Sequence, residues 1–407
     1  MKKEKQEKGI TLIALVITII VLLILAGVTI AALSGDNGIL TRAKEAKDKT
    51  EQAQKEEEST LTNMENILNN ATNFSNINMK DTNPSGAMPS NVTILESDAN
   101  KGIVIKDKND NEWVWVEVPK TTVFSDLIID TTKELTEQNY VDIKNKLVAY
   151  ATTYREGASG QGRYWTDEWY EGCGLTSNEY TVIYQKMLKS VYKYGGFWIA
   201  RYEAGIEGSI EDVSKARTSH TDIAIGTSPK AISKKDAIPY NWLYCSEAQA
   251  LAKEMVSDST YTSSLIFGVQ WDLVCKFLEE KSGLTIEDIN SNSSTWGNYG
   301  NITRTITSDK AKQKGTPWIQ IIGIKPKSDI LLTTGASDET NKMNIYDLAG
   351  NEWEWTLEHA TLENNRPCAI RGGCYSNSDS VVPFSSRDDY GTTSSNYIGF
   401  RSVIYAD

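Results

Sequence analysis

Two short segments rich in aromatic residues and glycine decide the fold: residues 346–355 read YDLAGNEWEW, and residues 398–401 read IGFR. Between them lies RGGCY at residues 371–375, and a run rich in Ser, Asp, Thr, Asn and Tyr extends from Cys374 to Tyr397. The two flanking segments predict rigid structure, whereas the polar run predicts a loop. Because binding residues are often carried by loops on a rigid scaffold, the sequence predicts a binding surface here.

The composition of the chain restricts its partners and its metal chemistry. A length of 407 residues is enough for more than one domain. The net charge of -12 argues against a nucleic-acid partner, because phosphate binding needs clustered Lys and Arg. Five cysteines at irregular spacing do not form the pattern of a disulfide framework. The two histidines, His220 and His359, are too far apart in sequence to indicate a histidine-rich metal centre.

An apolar run near the start of the chain predicts a membrane span. MKKEKQEKG is followed by ITLIALVITIIVLLILAGVTIAAL at residues 10–33, and no charged residue occurs between Lys8 and Asp36. As a helix rising about 1.5 Å per residue, this run is long enough for a hydrocarbon core roughly 30 Å thick. The lysines before it predict a cytoplasmic N-terminus. We therefore expect a protein that crosses the cell membrane once and carries an extracellular head.

The junction at residues 8–17, KGITLIALVI, resembles the class III signal of type IV prepilins, whose peptidase cuts after a glycine that precedes the apolar segment. The resemblance implies that residues 1–9 are a leader, that cleavage falls between Gly9 and Ile10, and that Ile10 is methylated. Most major pilins have Glu at the fifth mature position, where this chain has Ala14, which fits a minor or pilus-tip subunit. The alternative is a plain single-pass anchor.

The segments after the apolar run predict a stalk and a linker. Residues 39–70 have a strongly helical composition, so we expect residues 10–70 to form one transmembrane and stalk helix that contacts the membrane and neighbouring pilin subunits. Residues 71–90 are rich in Asn, Ser, Gly and Pro, which is typical of a linker. Residues 91–407 then form the globular head.

Six motifs between Gly195 and Tyr405 resemble, in order, those of the formylglycine-generating-enzyme family, which has a C-type-lectin-like fold. The motifs are FWIARYEAG, PYNWLYCSEAQALAKEM, FGVQWDLVCKFLEE, YDLAGNEWEW, RGGCY and IGFR. On this resemblance the hairpin expected at Ile103–Val118 begins the domain. The expected fold class is α+β, with a long N-terminal transmembrane and stalk helix followed by a C-type-lectin-like domain of the formylglycine-generating-enzyme type. The motifs support the fold and not the activity.

The resemblance also indicates which catalytic residues an active member of the family would have. Oxidases of the family bind copper through a cysteine pair downstream of the RGG motif, whereas here Cys374 directly follows Arg371-Gly372-Gly373 and no cysteine comes after it. Cys368 precedes the motif. Another branch uses three histidines, more than this chain has. We therefore expect a non-catalytic domain without a catalytic cofactor.

A structural calcium site is the one metal site that the resemblance leaves open. Asp347, Asn351 and Glu354 offer oxygen ligands of the kind that Ca²⁺ prefers. The alternative interpretation is that Asn351 and Glu354 only form hydrogen bonds within their loop.

The polar run from Cys374 to Tyr397 lacks Lys, Glu, Gln, Trp and Met. Every residue type in it has a codon that differs from an Asn codon only at the two adenines. This pattern resembles the variable region of diversity-generating retroelement target proteins, many of which use this fold. An ordinary Ser-rich loop is the alternative. The predicted ligand-binding residues are Cys374, Tyr375, Ser376, Asn377, Asp379, Val381, Phe384, Asp388, Asp389, Tyr390, Asn396 and Tyr397.

Together these features predict a surface-displayed, pilin-anchored adhesin or receptor that binds an extracellular protein or glycan through its C-terminal loop. Tyr, Ser and Asn, which dominate that loop, are the residues that antibody binding sites favour. Two alternatives remain: a divergent copper-dependent oxidase that uses Cys368 and Cys374, and a structural minor pilin without a ligand.

Overall fold

The computed structural model describes residues 15–28, 41–55, 57, 74–155, 164–256, 258–378 and 382–407. The chain divides into two compact units, Met1–Leu68 and Asn69–Asp407. The helices in the described residues are α1 (15–28), α2 (41–55), α3 (Lys120–Val123), α4 (Glu137–Tyr150), α5 (Thr152–Arg155), α6 (Ser177–Tyr194), α7 (Cys245–Glu254), α8 (Gly268–Lys281) and α9 (Ile286–Asn290). The strands are β1 (Thr93–Glu96), β2 (Val104–Lys106), β3 (Glu112–Glu117), β4 (Trp165–Thr166), β5 (Gly196–Ala200), β6 (Gly205–Ile206), β7 (Ala231–Ile232), β8 (Tyr261–Leu265), β9 (Arg304–Ile306), β10 (Lys312–Gln313), β11 (Ile319–Gln320), β12 (Gly323–Lys325), β13 (Trp353–Ala360), β14 (Cys368–Arg371), β15 (Arg387–Tyr390), β16 (Ile398–Phe400) and β17 (Ser402–Ala406).

The first unit corrects the predicted N-terminal architecture. Within the described ranges, no helix has the length and apolar character needed to cross a membrane. The predictions of a long transmembrane and stalk helix, and of a single-pass location at the cell membrane, are therefore wrong. Gly9 and Ile10, the predicted processing site, lie outside the described residues.

The second unit is a mixed α/β domain built on two sheets. The larger sheet has six strands in the order β1-β2-β3-β5-β17-β8, and the other has the order β15-β14-β13-β16 with β4 paired to β13. β2 and β3 pair antiparallel, which confirms the hairpin expected at Ile103–Val118. β13 and β16 run parallel and lie side by side, although they come from the two motifs that flank the polar run. This pairing brings the two ends of that run to one edge of the domain.

Local sequence signals explain α6, the longest helix among the described residues. The Thr176 hydroxyl accepts a hydrogen bond from the Glu179 amide, and the Glu179 carboxylate accepts one from the Thr176 amide, so that the N-terminus of α6 is capped in both directions. The helix ends at Gly195, whose φ of 71° lies in the left-handed region that glycine adopts without steric cost. The buried face of α6, which includes Tyr180, Leu188 and Val191, packs against β5 and β17.

Residues 74–90, which fall within the segment predicted to be a linker, pack against the domain. The Trp115 indole nitrogen donates to the Thr82 hydroxyl at 2.8 Å, and the Trp198 indole nitrogen donates to the Ala87 carbonyl at 2.8 Å. Ala87 and Met88 are buried. Because buried tryptophan N–H groups need acceptors, this segment contributes to the core of the second unit.

A buried ion pair joins the two sheets. Arg401, which follows β16, donates to Glu354 of β13 at 2.9 Å and to the Ala200 carbonyl of β5 at 2.9 Å. Both side chains are almost fully buried. The Arg of IGFR and the second Glu of GNEWEW are therefore structural partners that fix the frame around the polar run.

Candidate ligand-binding face

Two tyrosines from opposite ends of the polar run meet at its surface. The ring centroids of Tyr375 and Tyr397 lie 5.4 Å apart, and the ring planes are tilted by 30°. The Tyr375 hydroxyl accepts hydrogen bonds from Lys314 Nζ and from Asn396 Nδ2, each at 3.2 Å. Tyr375 is only 4% exposed, whereas Tyr397 is 40% exposed. We call Tyr375, Tyr397, Asn396 and Lys314 the tyrosine face.

The RGG motif sets the position of Tyr375. Gly372 and Gly373 have φ values of 90° and 79°, which side-chain-bearing residues rarely adopt, so the chain turns sharply after β14. The Tyr375 amide then donates to the Asn351 carbonyl at 2.9 Å. Asn377 supports the same turn, because its side-chain oxygen accepts from the Cys374 amide at 2.8 Å. The turn therefore presents Tyr375 from a rigid base.

A buried glutamate lies beneath the face. Asn241 Nδ2 donates to Glu352 Oε1 at 2.7 Å and to the Asn396 carbonyl at 3.2 Å, which connects the glutamate to the face. Burial raises the pKa of Glu352 to about 8, against the opposing effects of Asn241 and Lys314. On the other side, burial lowers the pKa of Lys314, and the charge of Glu352 opposes this. Burial of Glu352 therefore favours its protonated form.

Trp242 borders the same region in a strained backbone conformation. Its φ is 56°, which is an outlier for a bulky side chain, and such outliers cluster at functional sites. Its amide donates to the Ser395 carbonyl at 2.9 Å, directly before Asn396. Trp242 lies in the PYNWLYC motif, but nothing in the sequence indicates a positive φ, so sequence reasoning did not identify this residue.

Several predicted ligand-binding residues support the fold elsewhere. Phe384 is fully buried against Trp271 and Trp296, with ring centroids 5.4 and 5.3 Å away. Asp388, Asp389 and Tyr390 lie in β15, paired with β14. Residues 374–377 form the turn at the face, where the hydroxyl of Ser376 lies 3.2 Å from the sulfur of buried Cys374. Asp379 and Val381 lie outside the described residues.

A buried ion network that sequence reasoning missed holds β14 and β15 in place. Arg371 donates to Asp272 at 3.0 Å and to Glu358 at 3.1 Å, and Arg387 donates to Glu358 at 3.1 Å. Burial opposes ionisation of Glu358, but Arg387, Arg371 and Arg155 outweigh it and lower its pKa to about 2. The members of this network are Arg155, Asp167, Asp272, Glu358, Arg371 and Arg387.

The side chains predicted as calcium ligands are engaged within the fold. Asp347 accepts from the Gly335 amide at 2.6 Å and from the Thr340 hydroxyl at 2.8 Å. Asn351 Nδ2 donates to Glu203 at 2.6 Å. Both oxygens of Glu354 bind the guanidinium of Arg401. These contacts correspond to the interpretation in which the loop residues form hydrogen bonds within the protein.

The sulfurs of Cys368 and Cys374 have different neighbours in the fold. Cys368 lies in β14 opposite His359 and contacts Cys245, whereas the Cys374 sulfur is directed to Ser376. Burial raises the pKa of the Cys374 thiol. The two residues therefore do not fit a shared thiolate site.

A comparison with protein-family models supports the domain type that the sequence motifs predict for the C-terminal part of the chain. Residues 290–406 match the FGE-sulfatase family model, described as a sulfatase-modifying factor enzyme 1-like domain. This confirms the expected formylglycine-generating-enzyme-type domain for that part of the chain. No curated protein matches the sequence.

Two solved structures are similar to parts of the chain. Treponema denticola variable protein 1 matches over 52% of this chain and 85% of its own, at 14% identity and a TM-score of 0.29. The crystal structure of CarF matches over 52% of this chain and 87% of its own, at 14% identity and a TM-score of 0.32.

Proposed function

We propose that this protein is a ligand-binding protein, and that the tyrosine face is its recognition surface on a non-catalytic scaffold of the FGE-sulfatase type. The observation that carries the proposal is the pair of Tyr375 and Tyr397. One ring is buried and held by two hydrogen bonds, and the other is exposed beside it. A rigid aromatic surface with adjacent amide and ammonium donors binds ligands at a low cost in conformational entropy.

The ligand is a protein or a glycan, and the role is that of an adhesin or receptor. Tyrosine rings stack on the apolar faces of sugars and of protein side chains, while Asn396 and Lys314 supply hydrogen-bond donors. Phosphate-rich ligands fit poorly, because the chain carries a net charge of -12.

We also propose that the exposed positions of the polar run are diversified between copies of the gene. Phe384 and Arg387 are buried and serve the core and the ion network, so both should stay constant while positions such as Tyr397 vary. Sequencing the locus tests this proposal. A nearby copy of the region that differs at adenines, together with a reverse-transcriptase gene, is the expected result. A locus with neither feature would refute diversification and leave the binding proposal intact.

The binding proposal is tested with the whole protein on a glycan array and a panel of cell surfaces. Tyr397→Ala should abolish the binding that the wild type shows, while circular dichroism shows the fold unchanged. Trp169→Ala is the matched control, because Trp169 is 41% exposed against 40% for Tyr397 but lies outside the face. Equal loss in both variants, or unchanged binding by Tyr397→Ala, contradicts the proposal.

A further inference from the structure

Three side chains outside the tyrosine face converge at the N-terminus of α7. His220 and Asp222 belong to the preceding loop, and Glu247 lies in the first turn of the helix. One donor atom from each residue lies within 4.8 Å of the other two. We propose that these three residues form a binding site for a divalent transition-metal ion of the zinc type.

The spacing of two of the donors matches that of neighbouring ligands on zinc. His220 Nε2 lies 3.1 Å from Glu247 Oε2 and 3.2 Å from Oε1. Zinc binds nitrogen and oxygen donors at about 2.1 Å, so two ligands of a tetrahedral site are roughly 3.4 Å apart. An ion would take the place of the proton shared between the imidazole and the carboxylate, and the two groups need hardly move.

The surroundings orient both of these donors. The Ile223 amide donates to Glu247 Oε1 at 3.0 Å, and the Tyr244 amide donates to Oε2 at 2.9 Å. Each carboxylate oxygen keeps a second lone pair for an ion. The ring of His220 lies against that of Tyr244, with centroids 4.1 Å apart and planes 30° apart. In protein metal sites, the metal ligands are typically held in place by hydrogen bonds such as these.

Access and charge also suit a cation. Asp222 is exposed, so its carboxylate can rotate into the third ligand position, and the side chains of His220 and Glu247 are 20% and 13% exposed. Across the part of the chain that the structure describes, neither Asp222 nor Glu247 forms a salt bridge with a lysine or arginine. Arg217, which lies nearby, donates to the carbonyls of Thr221 and Trp242. Two carboxylates therefore remain to be neutralised by an ion.

The types of donor atom in the cluster favour zinc over calcium and Cu(I). One imidazole nitrogen and two carboxylates are ligands that zinc accepts, with water completing the coordination. Calcium requires six to eight oxygen ligands, and Cu(I) prefers thiolates, which this cluster lacks.

Calorimetric titration with zinc chloride tests the site, using the full chain without a histidine tag and stripped of metal with a chelator. One ion per chain should bind and raise the unfolding temperature. His220→Ala and Asp222→Asn should each weaken binding at least about tenfold, since losing even a hydrogen-bond partner of a metal ligand costs about 10–100-fold. His359→Ala is the matched control, because it removes the other histidine of the chain and should leave the affinity unchanged.

Cobalt substitution separates this site from the cysteines. The cobalt-loaded protein should show a visible spectrum without a thiolate charge-transfer band, since the proposed ligands include no sulfur. The proposal is overturned if the wild type binds no zinc, if His220→Ala or Asp222→Asn binds it undiminished, if His359→Ala weakens binding equally, or if the thiolate band appears.

Discussion

Lys314 Nζ lies 3.2 Å from the hydroxyl oxygen of Tyr375, and this contact joins the β10–β11 hairpin to the start of the polar run. Asn396 Nδ2 donates to the same hydroxyl from the other end of the run, also at 3.2 Å. One phenolic oxygen thus connects three segments that are distant in sequence.

Tyr375→Phe should therefore lower both stability and ligand affinity. Removing the shared acceptor leaves two donors without this partner, which costs about 1–2 kcal/mol of unfolding free energy in urea denaturation. Tyr390→Phe is the control: among the described residues its hydroxyl makes no hydrogen bond, and its ring packs edge-on against Trp355. That variant should stay within about 0.5 kcal/mol of the wild type. Equal losses in the two variants would show that the hydroxyl of Tyr375 has no special role.

The fold leaves no room for a side chain at Gly399 of the IGFR motif. A Cβ atom at this position would lie 2.2 Å from Glu352 Oε2, a buried atom in a side chain that Asn241 also holds. Gly399→Ala should cost about 1–3 kcal/mol of unfolding free energy through overpacking. Gly391→Ala is the control, because the nearest atom to its Cβ would be 3.5 Å away and its backbone needs no positive φ. A neutral Gly399→Ala would mean that Glu352 moves aside freely.

The sequence predicted the two motifs that flank the polar run better than it predicted the binding surface of the run itself. Gly399 and Arg401 belong to short motifs whose residue types are dictated by close contacts, so pattern and structure coincide there. The composition of the polar run does not show which of its residues are buried and which are exposed. Phe384 enters the core and Arg387 enters the ion network because of partners such as Asp272, far away in sequence.

The N-terminal prediction was wrong for a related reason. Hydropathy measures only the apolar length of residues 10–33, whereas crossing a membrane requires a helix that is both long enough and apolar enough, and no helix in the described residues meets both conditions. Likewise, the unusual feature of Trp242 is its backbone φ, which the sequence does not reveal. His220 comes close to Glu247 only in the folded chain.

The ion network predicts a specific acid sensitivity. The ordinary pKa of a glutamate is 4.5, and in the fold that of Glu358 falls to about 2. Its contribution is therefore fully present above about pH 4.5 and is lost as the pH falls towards about 2. Glu358→Gln should cost about 3–5 kcal/mol at neutral pH, because it leaves buried arginines without a charged partner.

Denaturation of wild type and variant across the acid range isolates this effect. Asp167 in the same network titrates in the opposite sense, since burial raises its pKa, and the charge of Glu358 raises it further. The difference between the two stabilities should shrink as the pH falls. Asp126→Asn, which breaks the exposed pair with Lys146, should change nothing measurable at any pH. A constant difference between wild type and Glu358→Gln would contradict the assignment.

Glu352 should give the opposite pH dependence. Its pKa rises from 4.5 to about 8 in the fold, so the folded protein binds the extra proton between these values. The stabilisation is fully present below about pH 4.5 and is lost as the pH rises through about 8. Glu352→Gln cannot ionise, and its unfolding free energy should therefore fall less steeply than that of the wild type between about pH 5 and pH 8. Urea denaturation at several pH values measures both slopes. Because Glu352 lies beneath the tyrosine face, ligand affinity of the wild type should weaken as the pH rises through about 8, where the folded protein loses this proton, while that of Glu352→Gln stays level. Parallel pH dependences of the unfolding free energy in the two proteins would show that Glu352 does not titrate as expected.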